Sequence, residues 1–192
     1  MRFPIKALIF STIMLLMAGC AQLSPQQVVF APSIPAKQLI QGQGTVSLAV
    51  IDKRSSTAIG LRGGTYAESA VISAQNSLQE VIESLATQVL AKSGMIVTST
   101  LPDTQIEISL NQLTYSVTPL GASIKRSKAL ATMSIKVERD NTTYVKNHRT
   151  SQYIDTVGYA SEKKNAALLN EVFDIVLENL LTDAGLEAFL SN

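Results

Sequence analysis

Tryptophan is absent from the 192 residues, and cysteine and histidine occur once each, at Cys20 and His148. A single cysteine excludes an internal disulfide framework, and one cysteine with one histidine excludes a His/Cys metal cluster. No charge of either sign is in excess: 16 Lys and Arg against 15 Asp and Glu leave a formal +1. So balanced a chain has no electrostatic hold on a phosphate backbone, and nucleic acid is not an expected partner. Charged residues make up 16% of the chain and hydrophobic ones 46%, which excludes disorder throughout. A membrane-spanning run is missing too. The main apolar stretch, Ala7 to Met17, covers about eleven residues where roughly twenty are needed to cross about 30 Å of hydrocarbon.

That short stretch has a telling context. Arg2 and Lys6 precede it, the small pair Ala18-Gly19 follows it, and the first acidic residue of the chain is Asp52. This is the positive, apolar and small-residue order of a secretory leader, residues 1–19, that is cut away. The lone cysteine comes immediately after. Leu16-Met17-Ala18-Gly19-Cys20 resembles the lipobox of bacterial lipoproteins, with Met17 where leucine is usual. The resemblance implies a Cys20 diacylated on sulfur, with palmitate-class chains, and a new amine acylated in turn. Each buried CH₂ contributes about 0.8 kcal/mol, and two or more chains make anchoring stable. Ala21 rather than Asp follows the cysteine, which in a Gram-negative host implies the outer membrane, with the protein facing the periplasm. Loss of the leader leaves 14 basic and 15 acidic residues, so lipid rather than charge is expected to hold the mature chain at the membrane.

Residues 20–44 form the acylated cysteine and a tether. Pro25, Pro32 and Pro35, with Gly42 and Gly44, favour an extended, semi-rigid segment, in which Val28-Val29-Phe30 has the makings of a short edge strand. Residues 45–192 carry the periodicity of an α+β domain. Thr45 to Asp52 alternates as a strand, and residues 53–68, with Gly63-Gly64, are expected as a loop. A helix follows over 76–92, with Leu78, Val81, Ile82, Leu85, Val89 and Leu90 on one stripe. Asn76 is its expected cap and Ser93-Gly94 its stop. Ile106, Ile108 and Leu110 then share one parity while Leu113, Tyr115 and Val117 share the other, which demands a β-bulge near Asn111-Gln112. Ala129 to Val137 lines one face of the next strand, Arg139-Asp140-Asn141 is a hairpin turn, and a polar strand runs over 142–156 as an edge or wet-faced strand. A last helix spans 162–182, with Leu169, Val172, Phe173, Val176 and Leu180 buried and Gly185 as its end. The order β-α-β-β-β-α suggests two helices packed on one face of a mostly antiparallel four-stranded sheet.

Catalytic chemistry is poorly represented. Nucleophilic catalysis needs a base, and only His148 is available, on a polar strand between Asn147 and Arg149. It is expected to be an exposed strand histidine. Glu80, Glu83, Glu171, Asp174 and Glu178 are expected on solvated helix faces. The Gly60–Gly64 stretch lacks the Lys-Ser/Thr of a phosphate loop, and Gly42-Gln43-Gly44 lacks the third glycine of a dinucleotide fingerprint. No cofactor is expected. Candidates for partner or anion contact are Asp52 and Arg54, which can also simply bond each other, and Arg62, Gly63 and Gly64, whose backbone N–H groups can form an anion nest.

The lipobox, the strand ending Asp52-x-Arg54, the helix from Leu78-Gln79-Glu80-Val81 to Lys92 closed by Gly94, the Ile106–Tyr115 strand and the polar Tyr144–Arg149 strand together resemble the YajG family of uncharacterised bacterial lipoproteins. The resemblance implies an outer-membrane lipoprotein and supplies no catalytic residues. The expectation is a non-enzymatic, lipid-anchored envelope protein that works through protein–protein contacts. Its fold-level alternatives are an accessory lipoprotein of outer-membrane or peptidoglycan assembly (like the plug of the lipopolysaccharide-assembly pore, or like a synthase activator) and a lipid or glycan carrier.

Overall fold

A computed structural model describes residues 23–33 and 41–191. The leader and Cys20 lie outside the described residues. The order of elements is β1 (Gln26–Val28), β2 (Thr45–Asp52), β3 (Ala58–Leu61), a 3₁₀ turn (Ala67–Ser69), β4 (Val71–Ala74), α1 (Leu78–Lys92), β5 (Ile96–Val97), β6 (Thr104–Pro119), β7 (Ile124–Arg139), β8 (Thr142–Val157), α2 (Glu162–Leu181) and α3 (Ala184–Ser191).

Over the described residues the chain is α+β, but the sheet has eight strands and is mixed, not four and antiparallel. The strands β6, β7 and β8 form an antiparallel meander of 16 residues each. On the other side of β6 the sheet forks. β2 lies parallel to the first half of β6, with Asp52 opposite Leu110, and β5 lies outside it. β3 lies parallel to the second half, with Gly60 opposite Tyr115, and β4 and β1 continue outward. The parallel pairing of β2 and β6 follows from the helix between them, because a chain that crosses back through a helix re-enters the sheet in its original direction. The expected 53–68 loop runs into the 3₁₀ turn, and it is loop except where β3 interrupts it. Gly60 makes this possible: a Cβ there would lie 2.0 Å from the backbone oxygen of Tyr115, so only glycine lets β3 reach β6.

The bulge is where the two parities required it. Register between β6 and β7 shifts between Leu110 and Gln112, so Ile106, Ile108 and Leu110 before the bulge and Leu113 and Tyr115 after it all turn to one core. Ala129, Ala131, Met133, Ile135 and Val137 of β7 line the same face and are buried. The hairpin turn holds Asp140 and Asn141 at φ of 48° and 61°, the left-handed pair that suits two-residue hairpins.

Both long helices cover this face. The cap of α1 is Ser77, whose hydroxyl accepts from the Glu80 N–H; Asn76, the expected cap, instead brackets Phe30. The stop is a full Schellman motif, with Gly94 N–H on the Ala91 carbonyl and Met95 N–H on that of Leu90. On α2 the buried stripe widens to Leu168, Leu169, Val172, Phe173, Val176, Leu177, Leu180 and Leu181. Each such side chain contributes about 1.5–3 kcal/mol on burial. Thr182 ends α2, and Gly185 lies inside α3, whose first turn is capped by Asp183 through the Gly185 and Leu186 N–H groups. Asp174 and Glu178, expected in solvent, are partly buried.

Candidate functional site

The described stretch 23–33 of the segment expected as a plain tether is fastened into the body. Arg62, only 6% exposed, donates from Nη1 to the Ser24 carbonyl and to Glu162 Oε1, both at 2.8 Å. Gln26 begins β1 against Ile72 of β4. Two residues on, the Val28 carbonyl accepts from Gln75 N–H. Phe30 is gripped twice by Asn76, its N–H donating to Oδ1 at 3.0 Å and its carbonyl accepting from Nδ2 at 2.8 Å. Its ring packs on Phe173 with centroids 5.0 Å apart. Asn170 of α2 holds the Val29 carbonyl and the Ala31 N–H.

Beneath this clamp runs a buried chain of polar groups. Asn165 Oδ1 can only accept, and the Tyr115 hydroxyl lies 2.6 Å from it, so the phenol proton points there. Ser127 Oγ, 2.7 Å away, then donates to the phenol oxygen, which has no second proton. Asn165 Nδ2 donates to Gln26 Oε1 at 3.0 Å, and Gln26 Nε2 donates to the Glu162 carbonyl at 2.8 Å. Ser127 and Asn165 are fully buried and Gln26 nearly so. Burial raises the Tyr115 pKa, against smaller opposing effects of the Ser127 hydroxyl and the Arg62 charge. The bonds all run in one direction, an arrangement in which each polarises the next.

The other sequence candidates lie elsewhere. Asp52 and Arg54 bond each other, Nε and Nη2 on the two carboxylate oxygens at 2.6 to 3.1 Å. Burial opposes the Asp52 charge, but the Arg54 guanidinium, backbone N–H and charge hold its carboxyl below the usual range. This pair sits at the end of β2, on the far side of the bulge from Arg62. Gly63 and Gly64 both take positive φ. A Cβ on Gly63 would lie 2.3 Å from the Tyr159 ring, and one on Gly64 would meet Leu23 at 3.5 Å, so this loop packs against an aromatic ring and the start of the clamped segment. His148 is not exposed: its side chain is 19% accessible and its Nε2 lies 3.5 Å from Asp183 Oδ2. Lys146 reaches the same oxygen at 3.3 Å, and the Tyr144 hydroxyl donates a very short bond to Oδ1. Burial works against the Asp183 charge, but Tyr144, the Leu186 N–H and Lys146 outweigh it and hold the carboxyl at about 2. Tyr144 and Lys146 of β8 fasten the α2–α3 corner to the sheet, with His148 beside them.

A protein family described as an uncharacterised lipoprotein matches residues 32–191. The chain belongs to that family. As a member it is a lipoprotein, carried on a membrane by its anchor, and the resemblance to the YajG lipoproteins is borne out. The matched residues begin after Cys20, so acylation at that residue is not part of what the match covers. No curated protein matches the chain. Among solved structures, a Xanthomonas campestris protein of the DUF330 family is 14% identical, over 88% of this chain and 96% of that one, with a TM-score of 0.49. Rare lipoprotein B from Shewanella oneidensis is 11% identical over 76% and 98%, with a TM-score of 0.46. A minor lipoprotein from Acinetobacter baumannii is 10% identical over 76% and 94%, with a TM-score of 0.40.

For this lipoprotein the clamp residues whose role sequence reasoning missed are Gln26, Asn76, Asn165 and Asn170. Asn165 carried a usable signal: it stands three and four residues before Leu168 and Leu169, on the apolar stripe of its helix, where a polar side chain needs a buried partner. Gln26 and Asn76 carried none, since their partners come from distant parts of the chain.

Proposed function

We propose that this lipoprotein is a non-enzymatic envelope protein, acylated at Cys20, held in the outer membrane facing the periplasm, and working through protein–protein contacts. The observation that carries the reading is a lipobox ending at Cys20 in front of a body that belongs to a lipoprotein family. The clamp supports it, because a body fastened at Ser24 is held within four residues of Cys20. The partner surface is the sheet face opposite the helices. Three strands of about 50 Å each run across it, and it bears Val145 and Tyr153, each 57% exposed. Arg126 stacks 4.0 Å over the Tyr153 ring and forks onto Asp155 at 2.8 Å, an amphipathic patch of the kind that contact surfaces favour.

Two experiments test this. Metabolic labelling with an alkyne palmitate is expected to mark the wild type and not Cys20→Ser. A photo-crosslinking residue at Tyr153 is expected to give a discrete envelope adduct that the same residue at Gln88, on the exposed side of α1, does not. Equal or absent adducts at both positions overturn the contact surface.

A further inference from the structure

The geometry points to a second attachment to the bilayer: we propose that the pole from which the anchor leaves docks directly on the phospholipid surface. The inference rests on acylation of Cys20.

Chain length limits how far the body can stand from its anchor. Leu23 lies against Gly64, and only Ala21 and Gln22 separate it from Cys20. Three residue steps span at most about 11 Å. The polar headgroup layer is itself about 5–8 Å thick on each side of a bilayer, so the acyl chains hold Leu23 and its surroundings at the lipid surface.

Register then shows what else is there. β3, β6 and β8 run in a common direction, and β1, β4 and β7 run against it. Ser24, the 62–70 loop, the β6–β7 turn, the end of β8 and the start of α2 therefore share one pole. That pole exposes Tyr66 at 60%, Leu120 at 47%, Val157 at 81% and Tyr159 at 41%, with Ile124 opposite Val157 in the register. Tyrosines with aliphatic neighbours are the composition of a membrane interface. Lys125, 5.9 Å from the Tyr159 ring centroid, and Lys163 and Lys164 in the first turn of α2 are also here. Of the acids near them, Glu162 and Asp155 are already paired with Arg62 and Arg126, which leaves Glu68 against three lysines. The opposite pole exposes Ile96 and Leu101 but places them with Asp103 and Asp140, a charge that anionic lipid repels. The occupant that fits the anchored pole is an anionic phospholipid surface.

The test uses the acylated full-length protein, in which the Cys20 sulfur is blocked by lipid and a new thiol is unique. Val157→Cys and Ile96→Cys, both at exposed positions, are labelled with an environment-sensitive fluorophore and reconstituted in phosphatidylethanolamine–phosphatidylglycerol vesicles. The expected result is a blue shift and severalfold brightening at residue 157, with quenching by shallow nitroxide lipids, and neither at residue 96. Equal access of both labels to aqueous iodide in vesicle-bound protein overturns the docking while leaving the anchor intact. Shielding of residue 157 in native membranes but not in protein-free vesicles means that a protein covers the pole, and also overturns it. Unacylated protein that stays in the supernatant overturns the anchor reading and the docking with it.

Discussion

Asn165 is the hinge on which the clamp turns, and Asn165→Ala is the perturbation with the clearest arithmetic. The side chain is fully buried and holds Tyr115 and Gln26 at 2.6 and 3.0 Å. Truncation leaves Gln26 Oε1 without its donor and the phenol proton without its acceptor, each at a cost of about 1–3 kcal/mol. Some relief comes from the phenol, which can turn its proton to Ser127. The expected loss is therefore about 2–4 kcal/mol, a large part of the 5–15 kcal/mol typical of a folded domain. Urea unfolding followed by circular dichroism measures it. Gln26→Ala loses the same bond from the other side, so the two changes must couple, and the double variant is expected to fall short of the sum by about 0.5–3 kcal/mol. Hydrogen exchange supplies the local readout: amides of Gln26–Val28 should lose protection before those of β6–β8. A loss below about 1 kcal/mol, or strict additivity with Gln26→Ala, refutes the relay.

Other expectations can be checked with the same unfolding assay. Asp183, held at about 2 against an unfolded value near 3.9, favours the fold when ionised; Asp183→Asn should cost stability above pH 4, and the difference should shrink as pH falls from 4 toward 2. Asp174 has the opposite sign: burial and then the Glu178 charge raise it to about 6, so its ionisation penalises the fold, and Asp174→Asn should be more stable than wild type above pH 6, with the gain vanishing near pH 4. Gly60→Ala should detach β3 from β6 and cost several kcal/mol, seen as a lowered urea midpoint, because the backbone oxygen 2.0 Å from the new methyl cannot move aside. Asn141→Gly, at φ of 61°, should be neutral or stabilising by up to about 1 kcal/mol, whereas Asn141→Val should destabilise.

The parts of the fold that were legible in the sequence are those governed by local periodicity. The two helix stripes, the bulge at Asn111 and the hairpin at Asp140-Asn141 each follow from a few neighbouring residues. The strands β1, β3 and β4 are only three or four residues long, too short for alternation to declare itself, and their pairing depends on a glycine contact 55 residues away in sequence, between Gly60 and Tyr115. Parallel pairing was deducible, since a β-α-β order implies it, but the meander of three long strands suggested an antiparallel sheet throughout. The candidate residues divide in the same way. Asp52 and Arg54 are two positions apart and bond locally, as their spacing allows. Arg62 is charged and flanked by glycines, which suggests an exposed loop; its burial follows from Ser24 and Glu162, 38 and 100 residues distant, and no local pattern encodes that.

The central claim is that an acylated Cys20 begins the mature chain. Mass spectrometry of the N-terminal peptide from membrane-isolated protein tests it most directly. The expected chain starts at residue 20, with diacylglyceryl on sulfur and a third acyl chain on the amine. A chain that still begins at Met1, with an unmodified thiol at residue 20, would contradict it.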